Sequence, residues 1–119
     1  MSAGFDHERL DVYRLTIDFV AWVGVLIEER ARRTKPSVIK HLDEASTSIA
    51  LNIAEGTAVV DRARFLDIAR GSALESAACL DVLVARKDLE TSGVAVGKAQ
   101  LLRIVSMLTK LIEKLLSSS

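Results

Sequence analysis

The chain has 119 residues, half of them hydrophobic, and its sixteen basic and sixteen acidic residues cancel. This length suits one compact domain with a sizeable core. A zero net charge excludes bulk electrostatic attraction to nucleic acid or to an anionic membrane, so such a partner would need a local basic patch. The single proline and six glycines favour helix throughout the chain.

Neither a membrane span nor a signal peptide is predicted. The longest apolar run, FVAWVGVLI at 19–27, lies between Asp18 and Glu28 and has about half the length that a bilayer requires. The opening MSAGFDHERLD carries charges where a signal peptide would need an apolar core. The lone Cys79 cannot form an intrachain disulfide and has no companions for a zinc site. These features predict a cytoplasmic protein that uses no membrane.

The first half of the chain predicts two helices. The first begins near Asp6, a candidate N-cap, and continues to about Arg33, before the Lys35-Pro36 interruption. The second opens at Pro36 and ends at Gly56, which suits a left-handed position after a helix.

Two further helices follow. Asp61 is predicted to cap the third, which reaches about Leu89 despite Gly71. A glycine inside a helix is unfavourable, so Gly71 predicts a close crossing with another backbone. After the turn at 91–93, the fourth helix extends to Leu116. The fold class is therefore all-α, an antiparallel up-down-up-down four-helix bundle. One domain covers 1–119, with helices at about 6–33, 36–56, 61–89 and 93–116.

Two helices carry more apolar surface than one core stripe needs. The second half of the first helix is apolar nearly all round, and the fourth helix has two adjacent apolar stripes. A subunit interface explains the excess, and a helix set deeply in its own core is the alternative. The candidate interface residues are Phe19, Trp22, Val25, Leu102, Val105 and Ile112.

No motif for catalysis or metal binding is found. His7 and His41 lie in no Glu-x-x-His pair, and the chain has neither a Gly-rich loop after a strand nor a Gly-x-Ser-x-Gly motif. Asn52 and Glu55, three residues apart before Gly56, predict a hydrogen-bonded clamp on the turn rather than a ligand site. The sequence therefore predicts a protein that is not an enzyme and that has no cofactor and no metal.

One segment is strongly basic. It holds five cations and no acid between positions 30 and 40, namely Arg30, Arg32, Arg33, Lys35 and Lys40. These charges are typical of a helix C-terminus followed by a solvated turn, and a patch that contacts phosphates is the alternative. Arg62 and Arg64, which open the third helix, are further candidates for contact with nucleic acid.

Two central motifs carry a resemblance to a known family. STSIALNIAEG at 46–56 and RFLDIARGSALE at 64–75 resemble the four-helix-bundle proteins encoded by intervening sequences of bacterial 23S rRNA genes, which include the accessory variability determinant of diversity-generating retroelements. Weaker similarity in DVYRLTIDFV and RIVSMLTKLIEKL extends it over nearly the whole chain. The resemblance implies a non-enzymatic bundle that assembles into a homopentameric ring.

The resemblance also implies association with RNA or DNA through basic surfaces. Family members usually carry basic residues before the Ser and after the Gly of the first motif, whereas this chain has Asp43 and Glu44 before it and TAVV at 57–60 after it. The remaining basic candidates are those in 30–40 and at the start of the third helix. The alternative function is a protein-interaction scaffold or accessory subunit without nucleic-acid binding, which the charge balance favours.

Overall fold

The structure is a computed structural model that describes residues 4–30 and 36–117. These residues form four α-helices without a strand, so the predicted all-α bundle is confirmed. A short 3-10 helix at Asp6–Arg9 precedes the first of them. The helices are α1 at Asp11–Arg30, α2 at Pro36–Ala58, α3 at Arg62–Ala85 and α4 at Thr91–Ser117.

Each helix packs against its neighbours along the chain, and α4 also closes against α1. Gly56 near the end of α2 lies against Phe65 near the start of α3. Asp81 near the end of α3 pairs with Lys98 near the start of α4. The first residues of α1 line a groove with the last turns of α4. These contacts make every packed pair antiparallel, which is the up-down-up-down topology.

The core runs along the axis of the bundle. Every helix contributes aliphatic side chains at a spacing of three or four residues, and burying each of them stabilises the fold by about 1.5–3 kcal/mol. The largest fully buried side chains include Phe19, Leu42, Ile49, Ile53, Leu80, Leu83, Leu101, Ile104 and Leu108.

Small residues let α2 and α3 approach closely. Ala69 and Ala73 are fully buried in this part of the core, and the hydroxyls of Ser48 and Ser72 share a hydrogen bond of 2.9 Å between the two helices. The Asn52 amide donates to the Ser48 carbonyl at 2.9 Å and to its hydroxyl at 3.0 Å. Asn52 therefore bonds to Ser48 of its own helix and supports the hydrogen bond between Ser48 and Ser72. It does not form the predicted clamp across the turn after α2.

Gly56 does not have the predicted left-handed backbone. It lies inside α2, which continues to Ala58, and no described glycine has a positive φ. A Cβ atom at Gly56 would stand 3.3 Å from the Phe65 Cβ and 3.4 Å from the Arg62 carbonyl oxygen. The glycine is thus explained by the close approach of α3.

The predicted close crossing at Gly71 is wrong. A Cβ atom there would have no neighbour within 4 Å, because Gly71 faces outward. The close contact is at Gly97 on α4, where a Cβ atom would lie within 2.8 Å of three ring carbons of Trp22. Gly97 makes room for the indole, and α1 and α4 are packed together at that point.

The ends of α3 also differ from prediction. Asp61 precedes the helix but makes no side-chain capping hydrogen bond. The helix stops at Ala85, because Lys87 adopts a left-handed backbone with φ of 63°. The Lys87 N–H donates to the Val84 carbonyl and the Asp88 N–H to the Leu83 carbonyl, both at 2.9 Å. This bonding pattern is a Schellman motif, which usually places glycine where Lys87 stands.

Replacing Lys87 with glycine should stabilise the protein by about 0.5–1 kcal/mol, because glycine adopts the left-handed region without steric cost. Chemical denaturation measures the change. Lys87→Ala is the matched control, since it removes the same charge but keeps the Cβ atom. Equal unfolding midpoints for the two variants would show that the backbone conformation of Lys87 is not strained.

Candidate nucleic-acid and subunit interfaces

The bundle leaves several large aliphatic side chains on its surface. Among the predicted interface residues, Val25 is 55% exposed and Leu102 is 70% exposed. Trp22 and Val105 are half-buried and pack against the core. Val25 and Leu102 are therefore available for contact with a second subunit, whereas the Trp22 ring packs against Gly97.

Two of the predicted interface residues lie inside the bundle. Phe19 is completely buried and stacks on Trp22 with a distance of 6.0 Å between ring centroids. Ile112 is 6% exposed and belongs to the same core. Their assignment to a subunit interface was wrong, because both side chains point to the bundle axis and a partner cannot reach them.

Other exposed aliphatic residues are not among the predicted interface residues. They include Ile17 on α1, Leu51 on α2, Leu74 on α3 and Val96 on α4. The signal for them was a large aliphatic residue outside the buried stripe of its own helix. Which aliphatic residues are exposed depends on the rotation of each helix about its own axis, and the sequence does not determine that rotation.

The basic segment is only partly described. Arg32, Arg33 and Lys35 lie outside the described residues. Arg30 is half-buried in the last turn of α1. Lys40 is exposed on α2, and its ammonium stands 3.9 Å from the Glu44 carboxylate. Such an exposed ion pair contributes little stability and leaves Lys40 free to contact a phosphate.

The fold adds two cations that the sequence analysis did not single out. Arg86 and Lys87 follow α3 at the end of the bundle where α1 ends and α2 begins. Arg30 and Lys87 line one surface cavity of about 430 Å³, together with Asp88 and Glu90. We call Arg30, Lys40, Arg86 and Lys87 the basic end. The Arg-Lys pair just before a turn was the signal that could have found it.

The remaining two candidates are at the opposite end. Arg62 and Arg64 open α3, whose 24 residues separate them from the basic end by roughly 36 Å. The Arg64 guanidinium lies 5.6 Å from the centre of the Phe65 ring. The structure therefore divides the four described nucleic-acid candidates between two ends and does not form one patch from them.

No catalytic arrangement appears in the described part of the chain. His7 packs between the Phe5 and Tyr13 rings, with centroids at 5.8 and 4.6 Å. Cys79 is buried, and this burial, with a smaller contribution from the Glu75 charge, raises the pKa of the thiol. No cluster of described His, Cys, Asp and Glu residues has the makings of a metal site.

None of the described helices combines the length and the apolar character that crossing a membrane requires.

Comparison with known proteins places these features in a family. Over residues 8–110 the sequence matches the model described as 23S rRNA-intervening sequence protein. The chain is similar to a solved protein of unknown function from the S23 ribosomal protein family of Bacteroides thetaiotaomicron VPI-5482, with a TM-score of 0.80 and 20% identity, covering 85% of this chain and 97% of that one. At this identity the likeness shows the fold alone. No curated protein matches.

The family model covers the central motifs at 46–56 and 64–75 and most of the four helices. The resemblance predicted from those motifs is thereby confirmed. The chain belongs to the 23S rRNA-intervening sequence protein family.

Proposed function

We propose that this protein is a non-enzymatic homo-oligomer, a ring of five subunits as the family resemblance implies, which associates with RNA or DNA through its basic end. The observation that carries the proposal is the exposed aliphatic surface of α1 and α4. Ile17 and Val25 on α1, and Val96 and Leu102 on α4, are large and exposed.

Self-association would bury these four side chains in a subunit interface. Burying one valine or leucine contributes about 1.5–3 kcal/mol, and a few such residues at the centre of an interface supply most of its stability. The bundle core is already complete without them, because each helix also provides a fully buried stripe. The monomer therefore does not need these exposed residues to form its core.

The basic end gives such an oligomer its contact with nucleic acid. Each subunit carries Arg30, Lys40, Arg86 and Lys87 at this end, and the chain between α1 and α2 adds Arg32, Arg33 and Lys35. A weak patch becomes multivalent when an oligomer repeats it along a polyanion. Multivalency compensates for the zero net charge of the chain.

The proposal of a non-enzymatic role has independent support. The one thiol is buried with a raised pKa, which opposes its use as a nucleophile. The His7 ring stacks on Phe5 and meets the Tyr13 ring edge-on.

A protein-interaction scaffold is the second candidate function. The observation in its favour is that acids accompany the cations of the basic end: Glu44 lies beside Lys40, and Asp88 and Glu90 share the cavity of Arg30 and Lys87. These carboxylates weaken the attraction to phosphate and suit a protein partner with mixed charges.

Binding to structured RNA, single-stranded DNA and duplex DNA tests the proposal. We expect weak binding at about 50 mM salt and micromolar protein, with a log-log salt slope of roughly 0.7 to 0.9 per phosphate neutralised. Replacing Arg30 and Arg86 of the basic end together with glutamine should weaken binding and flatten the slope. Fluorescence anisotropy at several salt concentrations measures both.

The matched control removes cations of the same kind at the far end of the bundle. Arg62→Gln with Arg64→Gln should reduce affinity less than Arg30→Gln with Arg86→Gln, because Arg62 and Arg64 lie away from the basic end. If the wild type binds none of the three nucleic acids under these conditions, the nucleic-acid function is rejected in favour of the scaffold. Equal losses in both variants would contradict the basic end as the contact.

A further inference from the structure

We propose that the groove between the start of α1 and the last turns of α4 binds a small amphipathic anion, namely a medium-chain aliphatic carboxylate. The groove has a volume of about 360 Å³, which lies within the usual range of small-molecule sites. The inference goes beyond the proposed function, because it requires neither self-association nor contact with nucleic acid.

The floor of the groove is apolar. Leu10, just before α1, and Met107 and Leu111 on α4 line it, and all three are partly buried against the bundle core. Met107 and Leu111 are four residues apart, so they share one face of α4. The methionine side chain is flexible and adapts to ligands of different shape. An aliphatic chain lying in the groove would therefore lose contact with water on the side that faces these residues.

Two cations line the same groove, one on each wall. Arg9 precedes α1, and Lys110 lies on α4 between Met107 and Leu111 in the sequence. Both side chains are exposed, and neither forms an ion pair with another described residue. An anionic group bound at the rim of the groove would therefore be attracted by two cations that have no carboxylate of their own.

The carboxylate in the groove does not cancel this positive charge. Asp11 lines the groove, but the Arg14 guanidinium binds it at 2.7 Å. Glu8 and Glu113 are close in sequence to the two cations and do not line the groove. The groove thus combines an apolar floor with a positive rim, which is complementary to an aliphatic chain that ends in a carboxylate.

Titrations with octanoate, octanol and octylamine test the apolar and the charged contribution separately, because the three compounds share one chain and differ in charge. Exposed cations contribute modestly to binding, so we expect octanoate to bind about three- to tenfold more tightly than octanol, and octylamine to bind least. Going from hexanoate to octanoate should raise the affinity by up to about fourfold for each methylene that is buried. Methyl NMR shifts of Leu10, Met107 and Leu111 give the affinity and locate the ligand.

A double variant tests the two cations. Arg9→Gln with Lys110→Gln removes both charges and keeps the apolar floor, so octanoate should bind no more tightly than octanol, whose affinity should not change. Arg62→Gln with Arg64→Gln is the charge-matched control, because these residues open α3 and do not line the groove. It should bind octanoate as the wild type does. All four positions are exposed, and circular dichroism checks that both variants are folded.

The site is overturned if octanoate at millimolar concentration leaves the three methyl-bearing residues of the floor unshifted, or if it shifts methyl groups elsewhere in the bundle instead. The preference for an anion is overturned if octylamine binds as tightly as octanoate, or if the Arg9→Gln and Lys110→Gln double variant keeps the wild-type preference. None of these results depends on the mass of the assembly or on nucleic-acid binding, so failure of the site is distinguishable from failure of the proposed function.

Discussion

Replacing Gly97 with valine is expected to destabilise the protein by roughly 2–3 kcal/mol, because it overpacks the contact between α4 and α1. A Cβ atom at Gly97 would lie within 2.8 Å of three carbons of the Trp22 ring. The ring stacks on the fully buried Phe19, so it can yield only by swinging outward. That movement exposes the indole to water and leaves a gap above Phe19.

Chemical denaturation measures the loss, and fluorescence follows the ring directly because Trp22 is the single tryptophan of the chain. Gly71→Val is the matched control, since no atom lies within 4 Å of a Cβ placed there. It should change the free energy of unfolding by less than about 0.5 kcal/mol, the difference in helix propensity between the two residues. Equal midpoints for the two variants would contradict the packing of Trp22 on Gly97.

Replacing Phe19 with alanine should destabilise the protein by about 3–5 kcal/mol, the usual cost of removing a buried phenylalanine. Phe19 is completely buried within its own bundle, so the loss consists of its own hydrophobic burial and the cavity left beneath Trp22. Denaturation at two protein concentrations separates core from interface. A core defect lowers the free energy of unfolding by the same amount at both, whereas a lost subunit contact costs more as the concentration rises, because the wild type gains more stability from assembly than the variant does.

Leu51→Ala is the control for this prediction, because Leu51 is a large aliphatic residue that is 64% exposed. The free energy of unfolding of the Leu51→Ala variant should stay within about 0.5 kcal/mol of the wild-type value. If the Phe19→Ala protein is folded and as stable as the wild type but forms a smaller assembly, the prediction that Phe19 lies in the subunit interface is correct after all.

The four helices were predictable because their signals are local. Apolar residues recur every three or four positions, and Pro36 marks the start of α2. The turn predicted at 91–93 is wrong, because these residues form the first turn of α4, which begins at Thr91. The end of α3 was missed because Lys87, which carries a side chain, takes the left-handed conformation usually given to glycine. Gly56 was misread for the converse reason, since its cause is the approach of Phe65 and not the backbone of its own helix.

The candidate interfaces were less predictable, because they depend on how the helices are rotated against each other. On a helix that is apolar nearly all round, the sequence does not distinguish Phe19, which is buried, from Val25, which is exposed. Gly71 and Gly97 likewise differ only in what stands opposite them. The basic end arises when antiparallel packing brings Lys87 beside Arg30, which are far apart in the sequence.

The most direct test of self-association is the mass of the wild-type protein in solution, measured by multi-angle light scattering after size exclusion at micromolar concentration. We expect a discrete assembly with several times the 13.0 kDa mass of the chain, and five times that mass for the ring implied by the family resemblance. A single species of 13.0 kDa would contradict the proposed oligomer and leave the exposed residues of α1 and α4 without a partner.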